Sequence, residues 1–162
     1  LVSLVDVAPT LLDACGVAVP RAMQGRSIVP LLGGGGRRLR GRAGWPEEVF
    51  VQVSETHIGR AIRTRRWKYA ITGKDKRVWG AQPPGCGEYV ESHLYDLESD
   101  PYELRNLVDG QGYAALRVQL RRRLVARMVE AGEAAPQIEA TKQRPSEEPA
   151  GEHGPRGRNE AG

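Results

Sequence analysis

Hydrophobic positions early in the chain recur at helical spacing. Val7, Leu11, Leu12 and Cys15 fall on one face, Asp6 is placed to cap the first turn, and Pro9 sits where its missing N–H does little harm. Gly16 follows as a stop, so the spacing predicts a short amphipathic helix over 7–15. Ser27 can cap a brief helical turn reaching Leu32. The period then changes to two. Across 48–54, Val49, Val51 and Val53 alternate with Glu48, Phe50 and Gln52. Further strands are expected over 60–64, 67–72 and 93–97, with a hairpin turning near Arg65 and Arg66. A long helix fits 112–131, where Leu116, Leu120, Leu124 and Met128 form an i, i+4 stripe. From Gln137 onward there are prolines and mixed charge with almost no apolar residue after Ile138, which reads as a disordered tail over 137–162. The fold class expected is α+β: a small antiparallel sheet of about four strands with the long C-terminal helix packed across it.

Size and composition bound this picture without sharpening it. The chain has 162 residues, enough for one modest core, and only 6% aromatic content, so Leu, Val, Ile and Ala must fill that core. A net charge of +4 bears on solubility and nonspecific binding rather than on fold. No apolar run approaches the roughly 20 residues of a membrane-spanning helix. Cys15 and Cys86 have no metal-ligand spacing; Cys15 reads as a small buried side chain on the first helix, and Cys86 as part of a loop. Gly33–Gly36 with Arg37, Arg38, Arg40 and Arg42 lacks the Gly-Lys-Ser/Thr of a phosphate-binding loop, so 33–47 reads as a solvated Gly/Arg-rich linker.

Three ordered patches carry a family resemblance. The first is LVSLVDVAPTLLDACGVAVPRAMQGRSIVPLL over 1–32, the second SETHIGRAIRTRRWKY over 54–69. The third and most specific is Leu94-Tyr95-Asp96-Leu97, continuing through Asp100-Pro101-Tyr102-Glu103 to Asn106-Leu107. Together they resemble the C-terminal portion of type I sulfatases, the arylsulfatase and N-sulphoglucosamine sulphohydrolase-like members of the alkaline phosphatase superfamily. The resemblance implies that 1–32 closes an α/β catalytic domain of which it is the remnant, and that 48–136 is the small C-terminal domain. It also implies that the catalytic apparatus lies upstream, in an N-terminal catalytic domain that would be this chain's partner.

The family nucleophile is a formylglycine made in a C/S-x-P-x-R motif, assisted by calcium held by an Asp-Asp pair and an Asp-Asn or Asp-His pair. Cys15 is followed by Gly16-Val17-Ala18-Val19 and Cys86 by Gly87-Glu88-Tyr89-Val90, so neither matches. No catalytic residue or metal ligand is carried over, and the fragment is expected to be inactive alone. The parent is expected to hydrolyse sulfuric esters on a sulfated small molecule or sugar. In the family the small domain borders the pocket mouth, which makes His57, with Glu55, the candidate for substrate contact; the plainer reading is a loop histidine held by a structural hydrogen bond. His93 reads as structural. Trp67 and Tyr69 should fill the core under the last helix, with Arg66 and Lys68 facing away. Asp96 and Asp100 should cap turns, and Glu103 should open a helical turn.

A second function class follows from charge. Arg37–Arg42 and the arginines of the last helix could make a stand-alone polyanion- or nucleic-acid-binding module. No nucleic-acid motif accompanies them and acidic residues are interspersed, 20 against 24 basic, so a solvated helix face is the ordinary explanation.

Overall fold

The computed structural model describes residues 1–32, 45–54, 57–74 and 85–141. Most of the Gly/Arg-rich linker and the tail from 142 onward lie outside the described residues, as does Glu55.

The N-terminal segment is an αα unit clasped by its own polar side chains. A 3₁₀ turn, Leu4–Asp6, runs into α1, Val7–Ala14, and α2 is the single turn Val29–Leu32. Gly16 ends α1 with φ 71, a left-handed conformation that favours glycine. Asp6 does not cap α1 as the pattern predicted. Its backbone is already helical, and its carboxylate instead accepts the amides of Ser3 and Arg26, each at 2.9 Å. Thr10 Oγ1 accepts the Ile28 amide at 3.0 Å, and Ser27 Oγ donates to Asp13. Ser27 also accepts the Val29 amide at 3.2 Å and so starts α2 as expected. Gly25 lies so close to α1's entry that a Cβ there would stand 1.9 Å from the Val5 carbonyl oxygen. Cys15, expected to be buried, is exposed.

The rest is one five-stranded sheet in sequence order: β1 Glu48–Val53, β2 Gly59–Thr64, β3 Trp67–Gly73, β4 Glu88–Asp96 and β5 Gln137–Glu139. The first four are antiparallel neighbours, with the β2–β3 hairpin turning at Arg65 and Arg66. β5 pairs parallel to β4, so the expected α+β class holds and gains a fifth strand. That strand corrects the boundary placed at Gln137, since Ile138 packs against the core. β4 begins five residues before the predicted 93. It was hidden by a bulge at Ser92, which breaks the two-residue period between Glu91 and His93.

A 3₁₀ turn, Gln111–Tyr113, leads into α3, Ala114–Glu130, which packs on β2 and β3. Leu120, Leu124 and Met128 interleave with Ile62, Tyr69, Ile71, Tyr89 and Leu94 to form the core. Trp67 joins its edge, 6.0 Å from Tyr113 in an edge-to-face contact. Register gives the helix-facing side of the sheet as four rows: Gly73, Tyr89, Ile138; Gln52, Arg60, Ile71, Glu91; Phe50, Ile62, Tyr69, Leu94; Glu48, Thr64, Trp67, Asp96. In β1 it is therefore Phe50 with its polar neighbours, not the valines, that faces α3.

The connection from β4 to α3 is built by its motif residues. Asn106 plugs the bulge: its Oδ1 accepts the Leu94 amide at 3.0 Å and its Nδ2 donates to the Ser92 carbonyl at 2.9 Å. Asp100 accepts the Arg105 amide at 2.8 Å, and backbone N–H groups hold its pKa below the usual carboxylate range. Glu103 opens no helical turn. It has φ 58 and pairs with Lys68 at 2.5 Å. Arg66 also departs from expectation, lying over the Trp67 ring at 4.8 Å and pairing with Asp96 at 2.9 Å.

Candidate functional site

The sheet face turned away from α3 carries the polar chemistry that the core does not use. Its rows are Val53, Gly59, Thr72, Val90; Val51, Ala61, Ala70, His93; and Val49, Arg63, Lys68, Tyr95. Gly59, Ala61 and Ala70 form a low floor between a valine edge and an edge of His93, Tyr95 and Lys68. His57 leaves the β1–β2 connection just before this floor. It is exposed, and its ring lies against Gly59, where a Cβ would stand 3.2 Å from Nε2.

The structure brings His57 and His93 into one electrostatic neighbourhood. Burial lowers the pKa of His93, the Lys68 ammonium and His57 lower it further, and Glu103 opposes them. Its ring stacks on Tyr95 with centroids 5.8 Å apart, and Lys68 Nζ stands 5.8 Å from the same Tyr95 ring. Burial pushes the Tyr95 phenol up. A neutral imidazole offers one donor and one acceptor, and the Lys68 ammonium adds donors only. Such a surface can hold hydroxyl or anionic groups of a ligand by hydrogen bonds. The sequence pattern points to His57 as the contact and gives His93 a structural reading. The signal that could have joined them is the phase change at Ser92, which places His93 opposite Ala70.

Neither cysteine sits in a nucleophile arrangement. The Cys86 thiol donates to the Glu88 carbonyl at 3.0 Å beside a shallow depression of about 340 Å³ lined by Lys74, Cys86, Gly87 and Glu88. Among the described residues no group of three His, Cys, Asp or Glu side chains could hold a metal ion. The described residues thus do not make up the calcium site or the nucleophile motif that the family resemblance implies for the parent.

The arginines of α3 are largely committed to the sheet. Arg117 and Arg121 pair with Glu91, and Arg123 and Arg127 with Glu48. Arg127 also pairs with Glu130 at 2.6 Å. These are internal ion pairs between helix and strand, and they take up cations that a polyanion would need. No helix among the described residues is long and apolar enough to cross a membrane.

Residues 1–130 match the family model described as N-sulphoglucosamine sulphohydrolase, C-terminal. The chain belongs to this sulfatase C-terminal family. It is 28% identical over 137 residues to the ulvan-active sulfatase of Formosa agariphila, covering 74% of this chain and 27% of that protein. Against arylsulfatase K of Mus musculus the identity is 32% over 111 residues, covering 66% of this chain and 18% of the relative. Among solved structures, BT4656 with its substrate D-glucosamine-2-N,6-O-disulfate superposes with a TM-score of 0.60 at 26% identity, over 81% of this chain and 24% of that one. The chain therefore spans about a quarter or less of the proteins it matches. The three motif patches all fall within the matched segment, which runs from α1 through α3.

Proposed function

We propose that this chain is the C-terminal part of a sulfatase, and that the whole protein hydrolyses sulfuric esters of a sulfated small molecule or sugar. The observation that carries this reading is a family match over 130 residues that covers so small a share of each relative. In it, 1–32 closes the α/β catalytic domain, 48–136 is the small domain, and the nucleophile and calcium come from the N-terminal catalytic domain. The floor of Gly59, Ala61 and Ala70, flanked by His57 and His93, borders the substrate, and His57 contacts it. Glu55, the second candidate, lies outside the described residues.

The decisive measurement is the intact mass of the protein in its native source, detected by an antibody against α3. A mass well above the 17.8 kDa of this chain supports the proposal. A mass near that value overturns it and turns attention to a free-standing domain. In an intact enzyme, His57→Ala should raise KM with a smaller change in kcat, because a ligand contact that takes no part in bond making or breaking contributes mainly uniform binding.

A further inference from the structure

One buried cation ties together both ends of the connection that carries His57. Arg60 is 1% exposed in β2. Its Nη1 donates to the Val53 carbonyl at 3.0 Å, to Ser54 Oγ at 3.4 Å and to the Gly59 carbonyl at 2.8 Å. Val53 ends β1 and Gly59 begins β2, so one nitrogen spans the gap between the strands. Its Nε donates to Glu133 Oε1 at 2.7 Å, and Gln52 Nε2 donates to the same oxygen at 2.6 Å.

Glu133 arrives there through the end of α3. Gly132 adopts φ 90, and the Glu133 amide closes on the Met128 carbonyl at 2.9 Å. This left-handed turn directs the carboxylate back toward the sheet. Gly85 leaves the space for it: a Cβ there would stand 3.1 Å from Glu133 Oε2 and 3.3 Å from Arg60 Nη2.

A buried guanidinium tolerates no lost partner without a large penalty, so the two strand ends cannot separate while Arg60 remains inside. Its aliphatic stem and head lie on the helix side, and the His57 ring lies across Gly59 on the other side. We infer that Arg60 and Glu133 are positioning residues for His57, coupling the end of α3 to the placement of its imidazole. The functional weight of this coupling rests on the reading of His57 as a substrate contact; the coupling itself does not.

The test compares wild type, Glu133→Gln and Glu133→Asp in the 162-residue chain by NMR. The expected result for Glu133→Gln is amide exchange at Ser54 and Ile58 faster by about tenfold or more, through local opening. The His57 imidazole resonance should shift or broaden, while Leu94 and Leu124 keep their protection and Glu133→Asp retains most of the wild-type protection and His57 signal. An unchanged His57 resonance, or a loss of protection spread evenly over β3 and α3, would overturn the inference. Should Glu133→Gln fail to fold, Gln52→Ala, which removes one donor from the same carboxylate, is read in the same way. If the coupling holds but His57→Ala leaves the KM of the intact enzyme unchanged, the substrate reading fails and the coupling stands.

Discussion

Arg121 reaches from α3 to Glu91 of β4, with 2.5 Å between its Nη2 and a carboxylate that is 2% exposed. Tyr69 donates its hydroxyl to the same oxygen at 3.0 Å, and Arg117 Nε lies 3.3 Å from the other. Burial, with Glu91 beside it, raises the Tyr69 phenol far above its usual range. A carboxylate in a core survives only in such company. Glu91→Gln should therefore destabilise the chain by about 3 kcal/mol, since it leaves two arginines against the sheet without their anion. Glu91→Leu combined with Arg121→Leu should recover most of that loss. Urea unfolding measures both, and an unchanged midpoint for Glu91→Gln would refute the account.

Acid should weaken the fold through the β4–α3 connection. The Arg66 guanidinium holds the Asp96 carboxyl below its usual value, and backbone amides do the same for Asp100. Both groups have depressed pKa values in the folded state. Their contribution is thus complete above the unfolded pKa of about 3.8 and is lost as pH falls through the lower folded values. Stability measured by denaturant between pH 5 and pH 2 should fall most steeply below pH 4. Asp96→Asn should flatten that slope, and an Asp96→Asn profile parallel to wild type would show the acid sensitivity to lie elsewhere.

The periods of the chain made α1, the β2–β3 hairpin and α3 legible, because each is a simple amphipathic pattern with a clear stop. They could not reveal β5. Three residues with one apolar side chain, Ile138, carry no period, and their pairing with β4 is set by tertiary contact. The start of β4 was lost at the Ser92 bulge, and with it the shared face of His57 and His93. The valines of β1 misdirect for another reason. A strand is expected to bury its apolar set, but here Glu48 turns inward because Arg123 and Arg127 wait above it. Such long-range ion pairs have no local signature. Family motifs identified the domain, and their residues are mostly architectural, as their types suggest: Asp6, Asp96, Asp100 and Asn106 all bond backbone.

The clasp of the N-terminal segment depends on Gly25. Its α-carbon abuts the Val5 carbonyl, which is backbone and cannot swing away. Gly25→Ala should force 1–6 and 24–28 apart, a change of about 2–3 kcal/mol by analogy with overpacking. Amide exchange at Arg26 and Ile28 reads it directly, since both donate across the clasp to Asp6 and Thr10. Retained protection at these two amides would mean that the clasp tolerates a methyl group.

The basic character of α3 gives a prediction about polyanions. Four of its arginines pair with Glu91 and Glu48, which are largely enclosed. A gel-shift titration with duplex DNA at 150 mM salt should show at most weak binding that vanishes as salt rises. Tight binding that persists at that salt would revive the polyanion-binding alternative and require the arginines to leave the sheet.

The apolar side of the N-terminal segment supplies the sharpest contrast between this chain and a protein of its relatives' length. Leu4 is 88% exposed and Leu11 62%, with Val5 and Val7 half-exposed beside them. A continuous apolar stripe of this kind marks a surface built for contact. In the 162-residue chain, Leu4→Ser and Leu11→Ser should each change stability by no more than about 0.5 kcal/mol, because neither side chain loses a partner. The same substitutions should reduce binding of a hydrophobic dye and improve solubility. In an intact protein of the relatives' length, each should cost about 2 kcal/mol or more if the catalytic domain covers the stripe. Equal, small effects in both contexts would mean that the stripe stays uncovered, and would break the link between this segment and a larger domain.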